Sequence, residues 1–298
     1  MLRLFGAPFW AVQQATQALT AAGGVQIQCR ARGAEVLAAL QAETPAALEK
    51  AKKALRSQFA AQLYGEGETT LAHAAVQALE AHHRLLVCSD ADAGTLLEAR
   101  LETVPAAEKV FDFGAMSYAD AAVCAKLDAK TRRVKGGPAA AVLARVQAAQ
   151  RLVGTDFAAG CLVREEDTVL FAGSRKGCWV RTVANGDAPA LWLLDMVRRA
   201  ALGLPQAEGT AWQKYGKAIP AGALAAQSLP EKPEQAAPKT PPRKHHRLRN
   251  FLLVLLLLAL AGAAAAWYYT SGDLTALPQL LQSALRAESL PHSGAKLI

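Results

Sequence analysis

An uninterrupted apolar run near the C-terminal end sets the narrowest limits on how this chain folds. Residues 251–269, FLLVLLLLALAGAAAAWYY, contain no charged side chain. A helix of about 19 residues extends about 28 Å, which matches the hydrocarbon core of a bilayer. Trp267 lies where interfacial aromatic residues are typical. The run predicts one transmembrane helix; the alternative is a buried helix of a soluble protein, which rarely lacks polar residues over such a length.

The charges flanking this run predict its orientation. The segment RKHHRLR, residues 243–249, lies directly before the run, whereas residues 270–298 contain only Arg286 and Lys296 as basic residues. Basic residues are enriched on the cytoplasmic side of membrane spans. We therefore expect a single-pass protein of the cell membrane, with residues 1–250 in the cytoplasm and residues 270–298 as a short tail outside.

The segment before the apolar run has the composition of a linker. Residues 205–250 are predicted as this linker, and their second half, PEKPEQAAPKTPPRKHHR, is rich in proline and charge. Such a segment buries too little apolar surface to offset its ordering entropy. Residues 232–250 carry +5 of the formal net charge of +8. The remainder is nearly neutral, so nucleic acid is not an expected partner, whereas anionic lipid headgroups would attract the linker.

The five cysteines lie in apolar runs, without a CxxC pair or a Cys/His cluster. This pattern predicts reduced core residues rather than metal ligands or disulfides. We therefore expect neither a metal nor a cofactor.

Hydrophobic periodicity predicts an α/β protein, with a small α+β domain over residues 1–66 and an α/β domain over residues 67–204. The predicted strands are residues 2–5, 25–30, 85–88, 109–116, 157–163, 168–173 and 177–183. The predicted helices are residues 8–19, 44–63, 70–83, 93–104, 138–153 and 190–202. Propensity alone also predicts a helix for residues 31–43.

A strand, a tight acidic turn and a helix follow one another in LLVCSDADAGTLL, residues 85–97. This arrangement is typical of nucleophile and anion sites in α/β proteins. Asp90 and Asp92 could form a cation-binding pair, but capping of the helix that begins near Ala93 is the simpler interpretation.

Several motifs in residues 1–204 resemble those of CinA proteins. They are LRLFG, LYGEGETTLAHAAVQAL, LLVCSDADAGTLLEARL, FGAMSYADAA and the GTD at residues 154–156. The resemblance implies a KH-like domain over residues 1–66 and a nicotinamide-nucleotide amidase-like domain over residues 67–204. It also implies that EVLAALQ is a strand and that the chain self-associates as a homo-oligomer. A GxxG clamp with basic flanks, which would indicate RNA binding, does not occur in residues 1–66.

The resemblance also shows where this sequence departs from the family. The family turn A-E-S-C-T-G-G-L-L falls on residues 89–97, so its nucleophilic serine falls on Ala91 and its first glycine on Gly94. The Y-x4-K motif keeps Tyr118, but its lysine falls on Val123. The phosphate-binding T-G-x-A-G-P loop is replaced by CLVREEDTVLF, which has no glycine cluster.

These departures predict a catalytically inactive homologue, a membrane-tethered pseudoenzyme that acts as a binding or scaffold module. No catalytic residue is expected, and a nucleotide is a candidate ligand of the altered site. The alternative is an active amidohydrolase that deamidates nicotinamide mononucleotide or a related amide with relocated residues, for which Ser89, Ser117 and Lys126 are the candidates. In a third possibility, an anchoring protein, residues 270–298 recognise the partner.

Overall fold

Two β-sheets organise the N-terminal part of the chain in the computed structural model, which describes residues 1–230, 256–257, 259–265, 267 and 282. The chain divides into two units, Met1–Pro233 and Glu234–Ile298. In the part of the chain that is described, no helix is long and apolar enough to cross a bilayer. The predicted span, residues 251–269, and the predicted tail lie largely outside the described residues, so both stay predictions.

The first sheet contains four antiparallel strands in the order β2-β3-β1-β4. Its elements are β1 Leu2–Phe5, α1 Phe9–Ala21, β2 Val25–Arg32, β3 Glu35–Ala42, α2 Pro45–Gln58 and β4 Leu63–Glu66. Leu2 and Leu4 of β1 pack with Leu55 of α2 in the core. Thr44 caps α2, because its hydroxyl accepts a hydrogen bond from the Ala47 N–H at 3.2 Å.

Residues 35–42 form strand β3, as the resemblance implies for EVLAALQ, rather than the helix that propensity alone predicts over residues 31–43. Strand β3 pairs with β2 on one side and with β1 on the other, and its Val36 and Ala38 alternate into the core. Two hydrogen-bonded neighbours outweigh the weak helical preference of alanine and leucine. The helix predicted over residues 44–63 also ends early, at Gln58, because Leu63 begins β4 and pairs with β1.

The second sheet has the order β5-β6-β7-β8-β9, with a parallel β5–β6 pair and antiparallel neighbours beyond it. Its elements are α3 Leu71–Ala81, β5 Leu86–Cys88, α4 Ala91–Leu101, α5 Ala121–Thr131, α6 Gly137–Val153, β6 Phe157–Val163, β7 Asp167–Gly173, β8 Cys178–Ala184, α7 Pro189–Ala201 and β9 Ala211–Gln213. The predicted α/β class is confirmed. The predicted boundary between residues 66 and 67 falls between the last strand of the first sheet and α3.

The strand predicted at residues 109–116 does not form. Phe111 makes only an isolated parallel bridge with Leu86. Beyond it, the Asp112 carboxylate accepts a hydrogen bond from the Met116 N–H at 3.1 Å, and Gly114 has φ +84°. The side chain of Asp112 thus closes a turn where the apolar pattern suggested extended backbone.

The first part of the predicted linker folds against the second sheet. Residues 211–213 form β9, and Trp212 packs edge-on against Trp179 of β8 with ring centroids 4.6 Å apart. The Gln227 N–H donates to the Thr182 carbonyl at 2.9 Å. Residues 205–230 are therefore not linker, because aromatic packing and backbone hydrogen bonds order them. Residues 231–250 lie outside the described part.

A buried charge cluster on α7, formed by Asp195, Arg198 and Arg199, connects the two sheets. Asp195 accepts hydrogen bonds from Arg198 Nη2 at 2.7 Å and from Arg199 Nε at 2.6 Å. Each arginine also donates to a backbone carbonyl near the first sheet. Arg198 reaches the Ala61 carbonyl at 2.7 Å, and Arg199 reaches the Phe5 carbonyl at 3.0 Å. Helix α7 is thus hydrogen-bonded to the first sheet at the end of β1 and just before β4.

Candidate functional site

The candidate site is the turn between β5 and α4, residues 89–90. Strand β5 ends at Cys88, and α4 begins at Ala91. Asp90 is the N-cap of α4, since its Oδ1 accepts a hydrogen bond from the Ala93 N–H at 2.8 Å. The predicted capping role of Asp90 is confirmed. The helix begins two residues earlier than predicted, so Asp92 lies in its first turn. The partial positive charge of this helix end stabilises a carboxylate there.

Ser89, the first candidate substitute for the nucleophile, is completely buried. Its hydroxyl donates to Asp90 Oδ2 at 2.7 Å, and its carbonyl accepts from Arg145 Nε at 2.6 Å. On the neighbouring strand, an added Cβ at Gly160 would lie 2.6 Å from Ser89 Oγ. The serine is therefore enclosed between α6, which carries Arg145, and β6, and its hydroxyl serves the cap residue.

Burial controls the ionisation of the groups around this turn. It raises the pKa of Asp90, although the hydrogen bonds from Ser89 and from the Ala93 N–H act in the opposite direction. Burial also raises the pKa of Cys88 and of Cys161 above the usual thiol range. Both thiols are therefore protonated at neutral pH and are poor nucleophiles.

Asp90, Asp92 and Cys161 offer three possible metal-ligand atoms within 4.8 Å of one another. Capping accounts for the position of Asp90, and metal binding requires a deprotonated thiol, which burial opposes at Cys161. The cluster therefore carries no metal assignment.

The two positions at which the CinA resemblance predicts a nucleophile and a base hold apolar side chains. Ala91 is exposed at the start of α4. Val123 lies near the start of α5, where its half-buried side chain packs against the core that contains Leu127 and Leu143. A methyl group cannot attack a carbonyl, and an isopropyl group cannot accept a proton.

Gly94 and Tyr118, two of the positions at which this sequence matches the CinA motifs, contact each other. An added Cβ at Gly94 would lie 2.3 Å from Cζ of Tyr118, so the ring packs directly on the helix backbone there. The Tyr118 hydroxyl donates to Glu98. Burial, and then this hydrogen bond, raise the pKa of Tyr118 above its usual range. The tyrosine therefore has a packing role that requires glycine opposite it.

The other candidate substitutes are not assembled with Ser89. Ser117 is completely buried, and its hydroxyl donates to Asp112 Oδ2 at 2.7 Å. Lys126 is exposed on α5, and within residues 1–230 it has neither a hydrogen bond nor an ion pair. Each serine thus donates to its own carboxylate, and no lysine contacts either hydroxyl in this part of the chain.

The segment where the CinA resemblance predicts a phosphate-binding loop is a β-hairpin. Residues 164–166 connect β6 to β7, with Glu165 and Glu166 exposed. Asn185 Nδ2 donates to the carbonyls of Arg164 and Glu165, both at 3.0 Å, and fixes the turn. The hairpin places carboxylates rather than a cradle of N–H groups at this position, which disfavours an anionic ligand.

No model of a known protein family matches the chain, and no curated protein matches it significantly. The fold and the site themselves define the class: an α/β protein whose strand–turn–helix site contains a buried serine and a capping aspartate. Sequence reasoning missed Arg145 and Gly160, which enclose Ser89. Neither residue belongs to a motif, and only the packing of α6 and β6 reveals them.

Proposed function

We propose that this chain is a catalytically inactive relative of nicotinamide-nucleotide amidases that serves as a binding or scaffold module at a membrane. The supporting observation is the burial of Ser89, the hydroxyl closest in sequence to the replaced nucleophile at Ala91. Acyl transfer needs a nucleophile that reaches the substrate carbonyl and a base that removes its proton. A substrate cannot reach an oxygen that is fully enclosed, and Val123 provides no base.

Membrane attachment is a separate part of the proposal and depends on residues 251–269. Their apolar composition and the basic segment before them support a single span with residues 1–250 in the cytoplasm. Self-association and retention of a nucleotide ligand rest on the resemblance to CinA proteins. In this view the amidase-like part supplies a binding surface, and the C-terminal part determines where it is displayed.

The catalytic part is tested by incubating the full-length protein with nicotinamide mononucleotide and measuring ammonia release. We expect no ammonia above the protein-free blank, because the Ser89 hydroxyl is enclosed and Val123 provides no base. Ser89→Ala and the matched control Ser174→Ala, in the β7–β8 turn, should give the same blank value. Turnover that disappears in Ser89→Ala but persists in Ser174→Ala would instead establish the active amidohydrolase. Calorimetry with the same nucleotide then separates a ligand-binding module from a pure scaffold.

The membrane part is tested by fractionating cells that express the full-length chain and extracting the membranes with alkaline carbonate. We expect the chain to stay in the membrane pellet, because a helix of about 19 apolar residues is inserted essentially irreversibly. Deletion of residues 251–298 should release it, whereas deletion of residues 270–298 should not. Release of the full-length chain by carbonate would contradict the predicted span. Loss of a partner on deletion of residues 270–298 would support the anchoring possibility.

A further inference from the structure

A cleft with a volume of about 420 Å³ lies where the first sheet meets the beginning of α7. Arg3 and Arg32 line it from the first sheet, and Arg100 lines it from the end of α4. Leu71 and Leu191 are apolar residues of the same lining. The cleft contains none of the residues of the β5–α4 turn, so it is distinct from the site described above.

The one carboxylate among the lining residues, Glu35, is already paired with an arginine. It lies 3.2 Å from Arg3 Nη1 and accepts a hydrogen bond from the Tyr64 hydroxyl. Burial, and then this hydrogen bond, raise the pKa of Tyr64 above its usual range, so the hydroxyl keeps its proton. Arg3 also approaches the exposed Glu68, at 3.7 Å. Arg3 and Glu35 therefore form an ion pair within the lining of the cleft.

Arg32 and Arg100 differ from Arg3 in having no partner. Within residues 1–230 neither guanidinium makes an ion pair or a hydrogen bond, and both side chains are exposed. Arg32 precedes the β2–β3 turn, and Arg100 belongs to the last turn of α4. Two elements distant in sequence thus bring unpaired cations to the same cleft, where their mutual repulsion favours a bound anion.

The beginning of α7 adds a partial positive charge to the same place. Ala188, the N-cap of this 13-residue helix, lines the cleft, and the first turn of the helix contains no acidic residue. Asp187 precedes the cap and is exposed, but it does not line the cleft. The aligned peptide dipoles of a helix favour an anion at this end.

We propose that this cleft binds a phosphate monoester of a small organic molecule. The lining arginines and Glu35 together carry a net charge of +2, which complements the dianion. Arg32 and Arg100 hold the phosphate oxygens, since the planar guanidinium fork matches phosphate geometry. The organic group lies against Leu191, whose half-buried side chain leaves apolar surface beside the buried Leu71.

The test is calorimetric titration of the full-length protein with phenyl phosphate, with inorganic phosphate as the second probe. We expect phenyl phosphate to bind more tightly, because only the ester contacts Leu191. Arg32→Gln and Arg100→Gln should each weaken binding roughly 10-fold to 100-fold, the loss of one charge-assisted hydrogen-bonding group. Arg133→Gln, which removes the same charge from an exposed turn outside the cleft, should leave the affinity unchanged.

Three results would overturn the proposal. The first is the absence of binding at millimolar phenyl phosphate, and the second is equal weakening by Arg133→Gln, which would indicate only a general charge effect. The third is equal affinity for inorganic phosphate and phenyl phosphate, which would show that the organic group contributes nothing to binding. Ammonia release is measured at a different site and does not depend on any of these outcomes.

Discussion

Replacement of Asp195 by alanine is expected to lower the free energy of unfolding by about 3–5 kcal/mol, the cost of removing one partner from a buried ion pair. Asp195 is only 1% exposed and accepts hydrogen bonds from both Arg198 and Arg199. Its loss leaves two buried guanidiniums without their counter-ion. Burial already lowers the pKa of Arg199, which shows how costly its charge is in this environment. Denaturant unfolding followed by tryptophan fluorescence measures the change.

The matched control for this prediction is Asp128→Ala. Asp128 also pairs with an arginine, Arg145, but its side chain is 62% exposed. Surface ion pairs contribute at most about 1 kcal/mol, so the control should unfold within that range of the unmodified protein. Equal destabilisation by both variants would show that the α7 cluster contributes no more to the free energy of unfolding than a surface ion pair does.

Gly160→Ala is expected to destabilise the protein by about 1–3 kcal/mol, the usual cost of overpacking a dense core. The new Cβ would lie 2.6 Å from Ser89 Oγ and 2.6 Å from Val146 Cγ2. Ser89 is completely buried, and moving its hydroxyl away would break the hydrogen bond to Asp90. The same unfolding measurement reports this loss.

Two further variants decide whether the effect of Gly160→Ala arises at the β5–α4 turn. Gly222→Ala is the control, because no atom lies within 4 Å of its added Cβ, and it should change stability by less than about 0.5 kcal/mol. Combining Gly160→Ala with Ser89→Ala removes one of the two close contacts. The double variant should therefore be more stable than the sum of the single losses predicts. Strict additivity would mean that Ser89 does not limit the space at Gly160.

The features that the sequence predicts correctly have local causes. Thr44 before Pro45, and Asp90 three residues before Ala93, act as caps in the structure as expected. The hairpins from residue 157 to residue 183 form where apolar runs alternate with polar turns. Each of these signals is contained within a few residues, and side chain–backbone hydrogen bonds or turn chemistry decide the outcome.

The features that the sequence does not predict depend on distant partners. Propensity alone makes residues 35–42 helical, and only the CinA resemblance implies the strand that they form by pairing with β1 and β2. Residues 211–213 are a strand because β8 pairs with them. Residues 109–116 fail to form a strand because Asp112 closes a turn instead. Arg198 and Arg199 have the appearance of ordinary basic residues near a helix end, and only tertiary structure shows that they are buried.

For the candidate site, too, some features follow from the sequence and others only from tertiary packing. The resemblance to CinA motifs predicts that Ala91 and Val123 are apolar replacements, since a motif comparison needs only the order of residues. It leaves Ser89, Ser117 and Lys126 open as substitutes. Enclosure of the two serines depends on what packs over them, which at Ser89 is Gly160 and Arg145. These residues lie on β6 and α6, far from Ser89 in sequence, so no local pattern predicts the contact.

The bonds from α7 to the first sheet have a consequence for the order in which the chain matures. Arg199 reaches a carbonyl 194 residues earlier, and Arg198 reaches one 137 residues earlier. During synthesis the first sheet leaves the ribosome long before either guanidinium exists, and contacts of such separation form late. A nascent chain stalled before residue 190 should therefore remain protease-sensitive around residues 5 and 61, and release of α7 from the ribosome should close both regions together.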